Sequence, residues 1–206
     1  MHEGIFKQLK KSISCPEKGD YLFKAGDTFD GFYVLCQGSA KAVCTQSGDN
    51  DKIVGFYHPN NIIGLCGFGN ATYQESVQIL SYSRVFKISK DDFNDALHAM
   101  PEMAGEMIRL LSDNLVRRQH NSAFNMMQDA EVRLMSFLNE LYACSRPRSN
   151  QLELPMTRVD IANYLGIAVE TLCRLIKGLT KKGLIEAHNR HIVFRHFDNS
   201  TSSNAA

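Results

Sequence analysis

MTRVDIANYLGIAVETLCRLIKGLTKKGLI, residues Met156 to Ile185, is the stretch from which the rest of the chain is read. Its first part predicts a short helix. Thr157 can cap it and Asp160, three residues on, can reach back to the cap, a capping box with Asp in place of Glu or Gln. Gly166 ends the helix, because glycine enters the left-handed region at least cost. A second helix is expected from about Ala168 to Lys182. Leu172, Leu175, Ile176 and Leu179 recur on it at helical spacing and should face inward. Glu170, Cys173, Arg174, Lys177 and Lys181 fall on another side, which is polar and mostly basic. Gly183 stops the helix.

Two short helices around a glycine turn suggest a helix-turn-helix that reads DNA. A plain helical hairpin with a solvated charged side is the competing reading. The residue types favour DNA, since Arg174 can contact guanine with two hydrogen bonds and Glu170 can accept from a cytosine amino group. Both lie in the first turns of the second helix, where base edges are reached. Downstream, Leu184 to Ala187 and His191 to Phe194 read as two strands around a polar turn at His188, Asn189 and Arg190. That hairpin would be the wing of a winged helix, with Arg190 placed to meet phosphate. Thr157, Arg158, Val169, Thr171, Cys173, Lys177 and Lys181 complete the expected DNA surface.

This segment resembles the DNA-binding region of the CRP/FNR regulators, the cyclic-AMP receptor and fumarate–nitrate regulator family. The run VETLCR, Val169 to Arg174, is similar to the FNR branch, whose base-reading triplet is Glu, Ser, Arg. Glu170 and Arg174 match it, and Cys173 stands where that branch has Ser. The resemblance implies a palindrome of TTGAT-like half-sites, a homodimer and RNA polymerase as a partner. Ala168 departs from the Ser or Thr that commonly caps this helix, which removes a cap oxygen worth about 0.5–2 kcal/mol.

Upstream the texture changes. From Gly19 to Ile88, short apolar runs alternate with glycine turns: Tyr21 to Phe23, Phe32 to Cys36, Lys41 to Cys44, Ile53 to Tyr57, Ile62 to Ile63, Ser76 to Leu80 and Arg84 to Ile88. Such spacing predicts a small antiparallel barrel or roll. YLFKAGDTFDGFYVLCQGSAK resembles the opening of the family's sensory β-roll. In the cyclic-AMP branch a Gly-Glu pair binds ribose and an Arg-Ser pair binds the cyclic phosphate. Here Leu65 replaces the Glu and Glu75 replaces the Arg beside Ser76. A carboxylate would repel the phosphate, so cyclic AMP is not expected. No cysteine-rich arm precedes the roll in these residues and Phe86 stands at the position of the roll cysteine, so an iron–sulfur cluster is not expected either. Some members of the family sense gases with haem, for which His58, His98 and His120 are candidate ligands; solvated surface histidines are the competing reading.

Between roll and reader, Asp91 to Met100 predicts a short helix, and Pro101 suits the first turn of a long one reaching about Phe124. Met103, Met107, Leu110 and Asn114 form one stripe, and Ala104, Ile108, Leu111 and Leu115 an adjacent one. One can cover the roll while the other meets a partner helix. A single wide core face is the competing reading; because the resembled family has a dimer helix here, and paired half-sites require two reading heads, Met103, Met107, Leu110, Leu111 and Asn114 are taken as the dimer contact. A further helix opens at Asp129 with Val132, Leu134, Phe137, Leu138 and Leu141 inward. Residues Ile5 to Ser14 read as a short helix or arm.

The predicted class is α+β: an N-terminal antiparallel β-roll (double-stranded β-helix, cupin-like) over 1–100, a dimerisation helix over 101–127, a C-terminal winged helix-turn-helix over 128–196 and a disordered tail over 197–206. Composition fits. The net charge is +1, yet residues 156–196 carry seven Lys and Arg against three Asp and Glu. No run is long and apolar enough for a membrane span or signal peptide, so a cytoplasmic protein is expected. The six cysteines, Cys15, Cys36, Cys44, Cys66, Cys144 and Cys173, show no metal spacing and should be reduced thiols, several of them buried. Cys173 lies near Arg174 and Lys177, which favours its thiolate and a redox role; a small packed side chain is the competing account. Phosphate-binding, dinucleotide, nucleophile-elbow and zinc-protease motifs are absent, so no enzyme is expected. The other functional class is a redox or small-ligand sensing module of the cytoplasm whose C-terminal domain binds protein.

Overall fold

A computed structural model describes residues 12–46, 50–127, 129–145 and 150–195. The chain divides into two compact units, Met1–Met127 and Gln128–Ala206.

The first unit is built from eight strands: β1 (Ser12–Ser14), β2 (Tyr21–Phe23), β3 (Gly31–Gln37), β4 (Ala40–Gln46), β5 (Asn50–Tyr57), β6 (Ile62–Ile63), β7 (Ser76–Ile79) and β8 (Arg84–Ser89). They form two four-stranded antiparallel sheets, ordered β1-β8-β3-β6 and β2-β7-β4-β5. This is the expected roll. The helix or arm read over Ile5 to Ser14 is corrected at its end: Ser12 to Ser14 pair with Val85 to Lys87 as an edge strand. The rest of that arm and the tail 197–206 lie outside the described residues.

The alternation of each strand drives one side chain in two inward, and the interior fills with rings. Phe23 stacks on Tyr73 at 3.7 Å, and Phe29 and Phe32 meet edge to face at 5.4 Å. The buried Tyr73 hydroxyl donates to Gly31 O (2.7 Å) and to Asp30 Oδ1 (2.9 Å). Lys87 closes the cluster with an ion pair to Asp30. Burial alone would raise the Asp30 pKa, but the hydrogen bonds from Lys87 and Tyr73 hold it below the usual value. At Gly38, where φ is 94°, a Cβ would sit 2.1 Å from Ser83 Oγ, so the corner after β3 admits only glycine.

Two helices follow, α1 (Lys90–Ala99) and α2 (Glu102–Met127). Ser89 caps α1 by accepting from Asp92 N at 3.0 Å. The first stripe of α2 belongs to the roll: Met103, Met107 and Leu110 are buried in the same cluster as Leu35, Ile63, Ile88 and Phe93. Assigning those three to a dimer contact is therefore corrected. A helix leaving a sheet must first cover the apolar side of its own unit. The adjacent stripe stays open, with Ile108 68%, Leu111 40% and Leu115 58% exposed. Asn114 and His120 lie outside the residues whose side chains are described.

The second unit holds α3 (Ala130–Ser145), β9 (Gln151–Glu153), α4 (Arg158–Leu165), α5 (Val169–Lys181), β10 (Ile185–His188) and β11 (His191–Phe194). Leu134, Phe137, Leu138 and Leu141 of α3 are buried as expected, whereas Val132 is exposed. With Leu152, Ile161, Leu172, Leu179 and Ile192 they make this unit's own core. Instead of a hairpin alone, the wing is a three-stranded sheet ordered β10-β11-β9. The third strand comes from a stretch read as loop. Leu154 N donates to Arg190 O and Phe194 N to Asn150 O, which ties it to β11 on both ends. Among the described residues, no helix is long and apolar enough to cross a membrane.

Candidate nucleic-acid interface

Helix α4 begins with the reciprocal cap that its sequence announces. Asp160 N donates to Thr157 Oγ1 at 3.1 Å and Thr157 N donates to Asp160 Oδ2 at 2.9 Å. Thr157 also donates its hydroxyl to Asp160 at 2.6 Å, so this side chain holds the helix end. Gly166 ends the helix with φ 67° and ψ 37°, and Ile167 N returns to Ala162 O at 3.0 Å. The turn then delivers α5, whose start has no side-chain cap at Ala168.

Helix α5 is strongly two-sided. Leu172, Ile176 and Leu179 are buried, Leu175 only partly. Glu170, Arg174, Lys177 and Lys181 are exposed and fall at i, i+4, i+7 and i+11, one stripe along a helix about 20 Å long at about 1.5 Å per residue. Cys173 sits at the edge of that stripe, half-buried, and accepts from Arg158 Nη1 at 3.3 Å. The thiol thus holds a cation of α4 against α5. Val169 and Thr171 are half-buried at the helix start, and Arg158 and Arg190 are exposed. The neighbouring Lys182 is turned to α3, where it pairs with Glu131 at 2.5 Å.

The Arg158–Cys173 contact joins two helices through residues fifteen apart in the chain, which no local pattern in the sequence announces. Strand β9 also escapes the sequence reading, although Gln151, Leu152, Glu153 and Leu154 alternate exposed and buried in the manner of a strand. None of the six cysteines is disulfide-bonded, as expected of reduced thiols; Cys15 is exposed and the others are half-buried, so the expectation that several of them are buried is corrected.

In the roll, the two residues that the resemblance aligns with the cyclic-phosphate pair have hydrogen-bond partners within the chain. Glu75 is buried and accepts from the Tyr57 hydroxyl at 2.7 Å. Ser76 Oγ accepts from Ala25 N at 2.9 Å. Leu65 begins a short 3-10 turn, Leu65–Gly67. His58 and His98 stand on different elements, and burial pushes the His58 imidazole down to about 4. No group of three or more His, Cys, Asp or Glu among the described residues is placed to hold a metal ion.

A winged helix-turn-helix whose second helix is basic on its exposed side, joined to a double-sheeted roll, is the architecture of a class of DNA-binding regulator. Comparison places the chain within that class. A cyclic nucleotide-binding domain family matches residues 16–99, and a Crp-like helix-turn-helix domain family matches residues 132–198. The fumarate and nitrate reduction regulatory protein of Salmonella typhi is 32% identical over 195 residues, covering 93% of this chain and 76% of that protein. The transcriptional activator protein FnrA of Stutzerimonas stutzeri is 30% identical over 179 residues, covering 85% and 73%. Among solved structures, FixK2 from Bradyrhizobium japonicum superposes with a TM-score of 0.84 at 20% identity, over 91% of this chain and 94% of that one. The chain belongs to the CRP/FNR family of transcription regulators.

Proposed function

We propose that this regulator binds, as a homodimer, a palindrome of TTGAT-like half-sites, and that its effector is not cyclic AMP. The observation that carries the DNA reading is the exposed stripe of Glu170, Arg174, Lys177 and Lys181 on a helix whose opposite side is locked into the core. Arg174 takes the guanine, Glu170 a cytosine, and Lys177, Lys181 and Arg190 meet phosphates. Arg158, steered by Cys173, adds a cation at the edge of the same surface.

The dimer reading rests on the open stripe Ala104, Ile108, Leu111 and Leu115. Its spacing of four, three and four residues is that of a coiled-coil seam. The effector reading rests on Glu75 and Ser76, whose polar atoms are held by Tyr57 and by Ala25 N. Haem and an iron–sulfur cluster have no support of comparable kind, and we assign neither. RNA polymerase as partner and a cytoplasmic location accompany the reading.

The deciding experiment is competition binding with Arg174→Ala. It should lose about 1–3 kcal/mol on the TTGAT-like site and lose its preference at the guanine. A variant that still discriminates at that base would remove α5 as the reader.

A further inference from the structure

The wing carries two histidines that the DNA reading above does not use. Strands β10 and β11 turn on two residues, Asn189 and Arg190, with Asn189 at φ 53°. His188 and His191 are therefore directly opposite each other, the last pair before the turn. Opposed residues of an antiparallel pair share a side of the sheet and stand about 4.5–5.5 Å apart at Cβ. The shared side is the outer one, because Ala187 pairs with Ile192 and Ile185 with Phe194 on the inner side, where Ile185, Ile192 and Phe194 are buried. Both histidines are exposed, as is Arg190 between them.

We propose that His188 and His191 form, with Arg190, a phosphate contact at the wing tip, in which two of the three charges exist only when the imidazoles are protonated. This rests on the assignment of this unit as a DNA binder. The occupant is the backbone of the same duplex, since β10 follows α5 through Gly183 within the same compact unit and the tip carries the exposed cation Arg190. An imidazolium donates from two nitrogens, and histidine changes charge between about pH 5 and 8, so phosphate binding and proton binding reinforce each other here.

Among the described residues, two carboxylates share the outer side with the pair. Glu153 on β9 is the register partner of His191 and lies on the same outer side. It subtracts one charge from the tip. Glu186 lies on that side two residues from His188 and is taken by Arg195. Arg190 supplies the charge of the tip that does not depend on pH, and a phosphate bound there favours the charged form of an imidazole beside it. Affinity for DNA therefore rises as pH falls through the imidazole range.

The test is anisotropy of a labelled duplex with the full chain, giving log Kd against log salt at about pH 6 and about pH 8. The salt slope should steepen at the lower pH by about 0.9 for each imidazolium that meets a phosphate. It should do so on a TTGAT-like palindrome and on an unrelated duplex alike, because phosphates carry no sequence. His188→Gln with His191→Gln should abolish the steepening and leave the slope at the higher pH unchanged. Arg190→Ala should lower the slope at both. A wild-type slope equal at the two pH values, or a steepening that survives in the double variant, overturns the proposal. Absence of binding to either duplex at both pH values would instead overturn the assignment of DNA binding itself. An independent readout is the NMR titration of the two imidazoles, whose pKa values should rise on adding duplex; unmoved values overturn the proposal as well.

Discussion

At the scale of single residues, the sequence states some contacts outright and conceals others. The Thr157–Asp160 cap was legible because its partners are three residues apart and need no tertiary structure. The missing cap of α5 was legible too, since alanine has no oxygen to offer. Ala168→Ser should stabilise the protein by about 0.5–2 kcal/mol, read as a higher urea midpoint with unchanged slope. An unchanged midpoint would mean that another group already serves the helix start. His58 was read as a surface residue with a possible iron-binding role, whereas burial holds it neutral with a pKa near 4. Its unfolded value is near 6.5, so between those limits the unfolded chain binds the extra proton. Stability should thus be full above about pH 6.5 and fall by up to about 3 kcal/mol as pH drops toward 4. Urea melts at several pH values should show that decline in wild type and a flatter one in His58→Gln.

At the scale of elements, helix α2 shows where periodicity reaches its limit. Both apolar stripes were visible in the sequence, and one had to face the roll. Nothing local says which. Met103, Met107 and Leu110 face the roll, and Ile108, Leu111 and Leu115 are left open. The two stripes should therefore respond differently to charge. Ile108→Glu should yield a folded monomer, seen as halved mass in analytical ultracentrifugation with unchanged circular dichroism. Met107→Glu should unfold the roll, because an unpaired buried carboxylate costs several kcal/mol. A fully dimeric Ile108→Glu protein would move the interface off this stripe.

At the scale of the whole molecule, the two compact units carry separate parts of the task, a sensory roll and a DNA reader. A two-fold dimer presents two reading helices to one side of the duplex. Inserting about 5 bp between half-sites turns one of them to the far side, and gel-shift affinity should fall to that of an isolated half-site. An insertion of about 10 bp should restore part of it if the units can separate, and a site insensitive to either would argue against the paired arrangement. At the same scale, if the proposed effector reading holds, calorimetry with millimolar cyclic AMP should give no binding heat, since Glu75, which the resemblance aligns with the phosphate-binding Arg, is a carboxylate held by Tyr57; micromolar affinity would overturn that alignment.

The sequence by itself determined the class of each segment: the strand series, the two-helix segment with its glycine turn and the basic stripe. These are matters of period, turn chemistry and residue type, all expressed within about a dozen neighbouring residues. Only the tertiary structure decided which stripe of α2 is closed, that β9 completes the wing and that Arg158 lies against Cys173. It also set His188 opposite His191, by fixing the turn at two residues and not three. Each of these depends on the angle or register at which one element meets another. That is fixed by how the apolar sides close over a shared core, a constraint that no short window of sequence contains.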